Sequence, residues 1–170
     1  MRLGWAFAAG LLVPAAQLPS LPAASPSPPA WEVLHAPAPD ARFPRLAGGS
    51  TALKDLRGRV VVLDFWTTWC EPCVAELPAL HAFHAWARAR GDVVLLSIND
   101  DTSARELARF LGAHRVRFPV LLMDAGNALR VEAYPTKLIL DGKGFLRLRA
   151  RGGPVPFDEL RRRAASILDR

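Results

Sequence analysis

Two cysteines separated by two residues, Cys70-Glu71-Pro72-Cys73, stand where a buried strand gives way to a helix, and this restricts the chain more than any other feature. Upstream, Arg59-Val60-Val61-Val62-Leu63-Asp64-Phe65-Trp66 is a near-continuous β-branched and aromatic run, the pattern of a strand covered on both faces. Downstream, Cys73 to Arg90 has helical spacing, with Leu77, Leu80, Phe83, Trp86 and Ala87 at the apolar positions, and Gly91 ends it. The same alternation continues. Asp92 to Ile98 reads as a second strand, and Thr102 or Ser103 caps a helix running to about His114. Thr136 to Leu140 and Phe145 to Arg149 read as strands joined by the turn Asp141-Gly142-Lys143-Gly144. Phe157 to Leu168 closes the chain as a helix with Leu160, Ala164 and Leu168 inward. Strands alternating with helices predict an α/β fold, a sheet covered by helices.

The cysteine count narrows the chemistry. Cys70 and Cys73 are the only two in 170 residues. A bridge between residues three apart closes almost no loop, so it restricts the unfolded chain little. A secreted scaffold held by disulfides needs more cysteines, and so does a four-cysteine zinc site. What remains is a redox pair, with a non-catalytic metal or haem carrier using both thiols as the alternative. His81 and His84 lie three apart on a helix but lack a third nearby ligand, so no metal site is expected there. The net charge of +6 brings no nucleic-acid signature with it. The densest basic run, Arg161-Arg162-Arg163, falls on the outer face of an amphipathic helix.

The N-terminus reads as a targeting segment rather than as part of the domain. Arg2 precedes the apolar run Leu3 to Val13, which Pro14 interrupts. That run is shorter than the ~20 apolar residues a membrane span needs. It suits a signal peptide or short membrane anchor over residues 1–16. Residues 17–35, rich in Pro, Ala and Ser, read as a linker, and residues 36–170 as the folded domain. This organisation predicts a periplasmic or other extracytoplasmic location, with the chain secreted or anchored.

Cys70 falls at the strand–helix corner, exposed to attack, where free N–H groups and the positive end of the helix dipole stabilise a thiolate. The thiolate is the nucleophile. Pro72, lacking an N–H, suits the first helical turn, and Trp69 shields the site. Cys70 is expected to attack a substrate disulfide and Cys73, less exposed, to resolve the mixed disulfide. Cys73 must then lose a proton. Two carboxylates are candidate acceptors: Asp64, in the apolar strand, and Glu76, one turn beyond Cys73. Burial would raise a carboxyl pKa and fit it to that task.

Trp69-Cys70-Glu71-Pro72-Cys73-Val74-Ala75-Glu76-Leu77-Pro78 resembles the signature of the TlpA/ResA-like thioredoxins, extracytoplasmic thiol–disulfide oxidoreductases of which several serve cytochrome c maturation. Ala38 to Phe43 and Leu53 to Gly58 are similar to that family's N-terminal hairpin region, and Tyr134-Pro135-Thr136 to its cis-proline loop. The resemblance covers roughly residues 36 to 168. It implies a thioredoxin fold, a central mixed sheet flanked by helices with an N-terminal β-hairpin extension. It also implies that Pro135 is cis and opposite the cysteines, and that the Tyr134 backbone bonds an extended substrate strand. Trp69, Pro72, Tyr134 and Pro135 are therefore the expected substrate-binding residues. The implied partners are a protein disulfide substrate and a membrane-embedded thiol–disulfide electron donor, with no nucleic acid. The protein is expected to be a monomer, and its only redox group the Cys70–Cys73 pair, with no further cofactor. Asp64 departs from the asparagine frequent in the group and is similar to the aspartate of ordinary thioredoxins. Tyr134 is larger than the residue that usually precedes this proline. A peroxidase pattern is incomplete, because Leu63 stands where such enzymes carry proline.

Overall fold

In the computed structural model, which describes residues 28–101, 103–123 and 128–168, the two-sided apolar run becomes a strand, β4 (Val60–Trp66), with all seven residues buried. Before it lie β1 (Ala30–Pro37), β2 (Arg42–Pro44), β3 (Ser50–Ala52) and a 3-10 turn at Leu53–Leu56. After it come α1 (Glu71–Arg90), β5 (Val93–Asn99), α2 (Ala104–Ala113), β6 (Val120–Leu122), β7 (Thr136–Leu140), β8 (Phe145–Arg151) and α3 (Phe157–Leu168). One sheet has the order β1-β8-β7-β4-β5-β6, and β2 pairs with β3 as a separate hairpin. The large sheet is mixed: β4, β5 and β6 run parallel, whereas β7, β8 and β1 are joined by antiparallel ladders.

Side-chain alternation along β4 divides the interior into two layers. Val60, Val62 and Trp66 belong to the cluster holding Leu77, Leu80 and Phe83 of α1 and Leu160 and Ala164 of α3. Val61, Leu63 and Phe65 face the opposite layer, formed with Phe43 of the hairpin, Leu53 and Leu56 of the 3-10 turn, and Leu129 and Val131. Asp64 shares the parity of the helix-facing residues. The strand therefore aims one carboxylate at α1.

Helix boundaries follow local chemistry. Cys70 is the N-cap of α1, so the helix begins at Glu71, two residues earlier than the apolar spacing starts, with Pro72 in its first turn. Gly91 ends it in the left-handed region, at φ 81°, which only glycine adopts without a Cβ penalty, and its N–H donates to Ala87 at 3.1 Å. The Ser103 side chain caps α2 by accepting from Glu106 N–H at 3.2 Å. Thr102, the other candidate cap, lies outside the described residues, as do the leader at 1–16 and the linker up to residue 27.

The predicted linker ends earlier than residue 35, because Ala30 to Pro37 pair with Phe145 to Arg151 of β8 as an edge strand. Its sequence disguises it: prolines flank it and Val33 faces solvent. Trp31 packs on the helix-side core beneath the Arg163 guanidinium, 4.8 Å from its ring, and Glu32 pairs with Arg151 at 3.2 Å and Arg149 at 3.7 Å. Strand β6 is the other strand of the large sheet that pattern reading omits, since its short run follows Pro119. The hairpin is found, at residues 42–52, with Leu53–Leu56 continuing as the 3-10 turn. No helix among the described residues is long and apolar enough to cross a membrane.

A chain beginning at Pro28 keeps β1 whole and serves as the reference in urea denaturation. One beginning at Ala38 loses the ladder to β8 and the Trp31 contact, and should lose at least about 2 kcal/mol, given about 0.5–1.5 kcal/mol net for each hydrogen bond removed. Equal midpoints for the two truncations would show that β1 contributes nothing.

Candidate active site

The loop after β4 is held against the end of β5 by backbone and carboxylate bonds. Asp100 N–H donates to the Trp66 carbonyl at 3.0 Å, and the Asp101 carboxylate accepts from Thr68 N–H at 3.0 Å and from the Asn99 amide at 2.8 Å. This delivers Cys70 to the N-terminus of α1, where the unpaired amides of the first turn converge. Cys70 and Cys73 form a disulfide, with 5.3 Å between their Cα atoms. The expected exposure of Cys70 survives only as a ranking. Cys70 is 5% exposed and Cys73 2%, so both sulfurs of the oxidised pair are enclosed. The pair joins the apolar cluster that α1 buries against the sheet.

The Tyr134–Pro135 bond is cis, as the resemblance implied, and Pro135 is buried. Trp69 is 74% exposed and meets the Tyr134 ring edge-on, with centroids 6.0 Å apart at 84°. The Tyr134 hydroxyl donates to the Asp100 carboxylate. Partial burial, then the bond to Asp100 and the charges of Asp100 and Asp101, push the phenol pKa up, so it stays a neutral donor. The Thr136 hydroxyl ties the loop to the Ala133 carbonyl at 2.8 Å. Trp69 and Tyr134 thus form one aromatic surface at the mouth of the site, while Pro72 remains half-buried in the helix turn.

Behind the cysteines lies a group of buried charges that pattern reading catches only in part. Asp64 and Glu76 are both buried, as their proposed role requires. Between them stands Lys137, 1% exposed, whose Nζ donates to Asp64 Oδ1 and Glu76 Oε2 at 2.7 Å each. Register explains the meeting: Asp64 of β4 lies directly opposite Lys137 of β7 on one side and Ser97 of β5 on the other. The Ser97 hydroxyl donates to Asp64 Oδ2 at 3.3 Å and accepts from Trp66 Nε1 at 2.8 Å. Glu76 Oε1 accepts from Val155 N–H at 2.8 Å, just before α3. Burial pushes the Glu76 pKa up and the Asp64 charge adds to the rise, against the opposing pull of Lys137 and Val155. Burial disfavours charge on Lys137, but the two carboxylates outweigh it and hold its pKa above the usual lysine value. The signal available in the sequence was a lysine inside the apolar strand Thr136 to Leu140, two residues after Pro135.

His81 and His84 are accounted for by packing. Both rings lie against Phe118, and His81 Nε2 accepts from Arg117 N–H at 3.2 Å. Among the described residues, no three His, Cys, Asp or Glu side chains converge on a point that would hold a metal ion.

Comparison with known proteins agrees with this geometry. Residues 34–149 match the AhpC/TSA family. The chain is similar to the thioredoxin-like protein YneN of Bacillus subtilis, at 34% identity over 65% of this chain and 66% of that protein. It is also similar to the thiol-disulfide oxidoreductase ResA of Bacillus thuringiensis, at 29% identity over 63% of each. The matched region therefore spans just under two thirds of these relatives' own length. A Chlorobium tepidum crystal structure of a candidate thiol:disulfide interchange protein DsbE superposes with a TM-score of 0.69 at 29% identity, covering 79% of this chain and 96% of that one. The chain belongs to the AhpC/TSA family and has the thioredoxin fold of its TlpA/ResA-like members.

Proposed function

We propose that this protein is an extracytoplasmic thiol–disulfide oxidoreductase that reduces disulfides in other proteins, with the Cys70–Cys73 pair as its only redox group. The observation that carries the reading is a disulfide at a helix N-terminus, with the adjacent Trp69 against Tyr134 of a cis-proline loop and the buried Glu76 one turn beyond Cys73 on the same helix. In the reduced protein the helix dipole favours the Cys70 thiolate. That thiolate attacks one sulfur of the substrate disulfide, forming a mixed disulfide and releasing the first substrate thiolate. Cys73 then gives up its proton and attacks Cys70 Sγ, releasing the second substrate thiolate and closing the Cys70–Cys73 bond. Two electrons have moved from the protein to its substrate. A membrane-embedded thiol–disulfide partner returns them.

Trp69 and Tyr134 supply an apolar surface for a substrate segment, and the Tyr134 backbone supplies hydrogen bonds to it. Each oxidoreductase acts as a monomer. The reading of residues 1–16 as a leader supports placement outside the cytoplasm, and cytochrome c maturation is the setting that the family resemblance suggests.

The buried charges account for the proton. With Lys137 charged and both carboxylates ionised, the group carries one excess negative charge. Accepting the Cys73 proton neutralises that excess as the Cys73 thiolate forms, so the buried charge stays constant through the step. This matters in a medium that penalises each added charge. Glu76, with its raised pKa, and Asp64, whose Oδ2 has only the long bond from Ser97, are the two acceptors.

Cys70→Ser should abolish insulin reduction, whereas Cys73→Ser should accumulate mixed disulfides visible on non-reducing gels. A fully active Cys70→Ser protein would refute the assignment. Lys137→Met strands two buried carboxylates and should lower stability by about 3–5 kcal/mol. Adding Glu76→Gln should restore much of that loss in a double-mutant cycle. Removing the cation also raises the acceptor pKa further, so the acceptor ionises only at higher pH. The pH profile of mixed-disulfide resolution in Lys137→Met should accordingly move to the alkaline side by more than one unit, and an unmoved profile excludes the proton role.

A further inference from the structure

Strand β6 covers only part of β5. It pairs with Ser97 to Asn99, leaving Val93 to Leu96 with a strand neighbour, β4, on one side only. The cause is local: Pro119, next upstream of β6, has no N–H to continue the ladder, and the chain leaves the sheet there. Beside this open edge is a cavity of about 700 Å³, within the range of about 300–1,000 Å³ usual for binding sites. Its walls come from both layers of the fold. Ala87 and Leu111 stand on the helix side, and Leu56 and Leu121 on the hairpin side. The space therefore lies in the plane of the sheet, where one more strand would run.

Its charge has one sign. Arg45 and Arg59 line it on the hairpin side and Arg88 on the α1 side, and no carboxylate lines it. None of the three arginines makes a salt bridge among the described residues, and Arg45 is tied only through Nε to the Thr51 hydroxyl at 2.9 Å. His84, also on the wall, is kept toward its neutral form by burial and by Arg88, so the arginines carry the field.

We propose that the open half of β5 is a docking groove for an extended acidic segment of another protein, added to the sheet as a strand. Main-chain bonds to Val93 to Leu96 supply the affinity of such additions, and side chains alternating to either face supply the selectivity. The open edge spans four residues, roughly 13 Å at about 3.3 Å per residue. A guest alternating apolar and acidic residues carries its carboxylates on one face, so they meet Arg45 and Arg59 in one facing or Arg88 in the other, while its apolar side chains fill the opposite wall. The groove flanks the N-terminal half of β5 and the C-terminal end of α1, whereas the disulfide caps the opposite end of that helix. Occupancy therefore does not obstruct the approach to the cysteine end of the helix.

Fluorescence anisotropy on the full-length protein tests this with a labelled seven-residue peptide alternating glutamate and valine. The controls are the same peptide with lysine for glutamate, and the acidic peptide N-methylated on alternate amides. Saturable binding of the acidic peptide is expected, weakened at least tenfold by N-methylation and by the double substitution Arg45→Glu/Arg88→Glu, with no binding of the lysine peptide. The double variant should reduce insulin at the normal rate; if it does not fold, Arg45→Gln/Arg88→Gln replaces it, with binding still reduced. Equal binding of acidic and basic peptides, no saturable binding, or undiminished binding after N-methylation would each overturn the proposal. So would self-association in sedimentation that the acidic peptide fails to displace, since the occupant would then be a second copy of the chain.

Discussion

A lysine ammonium held 2.7 Å from each of two buried carboxylates is the contact on which the rest of the site depends. Removing any of these charges from water is costly, and the group is tolerable only because each has a partner at hydrogen-bond distance. The partners come from different elements: Asp64 from β4, Lys137 from β7 and Glu76 from α1, with Glu76 bonded in turn to the chain entering α3. Cys73 lies one turn from Glu76 on the same helix. The network that settles three charges therefore also sets the first turns of α1 against the sheet, and with them the cysteine pair. The same contacts that locate the sulfurs also tune the groups proposed to take a proton from one of them.

That dual role explains what could be read in advance. The apolar run of β4, the helical spacing beyond Cys73, the turn between β7 and β8 and the stripe on α3 are local patterns, and each marks its element within a window of ten or twenty residues. The cysteine pair was legible for the same reason, whereas the cis-proline loop was an expectation from the resemblance of Tyr134-Pro135-Thr136 to the family's loop. Lys137 was not legible. In sequence it is one charge inside a strand, and its partner is specified only when the β4–β7 register sets it opposite Asp64. Burial of Glu76 likewise depends on how α1 meets the sheet, because an acid in the second turn of the helix could equally face solvent.

The two strands of the large sheet that pattern reading missed are the two at its edges, β1 and β6. Edge strands need hide only part of their surface, so β1 has proline at its ends and an outward Val33, while β6 is three residues long behind Pro119. The edges are then finished differently. On the β1 side, Glu32 is paired with arginines of β8, and no sheet neighbour is missing along β8 from Phe145 to Arg151 apart from a local irregularity. On the β6 side the cover stops halfway, and cations surround the gap.

Exposed strand edges invite pairing with other chains, and positive charge along them is a common way to discourage it. Unpaired arginines would serve that purpose against the basic surface of another copy of this protein, whose net charge is +6. The same arginines attract any segment of opposite charge. A cationic edge thus rejects self-pairing and admits acidic strands by one Coulombic term, whose range is about 8 Å at physiological salt. The disulfide obeys the complementary rule. Trp69 and Tyr134 leave an aromatic surface open beside sulfurs that are themselves enclosed, and this is the surface proposed for a substrate segment. Under the two proposals, recognition would rest on apolar contact at the redox end and on charge at the edge groove, so one small domain would hold two protein segments without their competing.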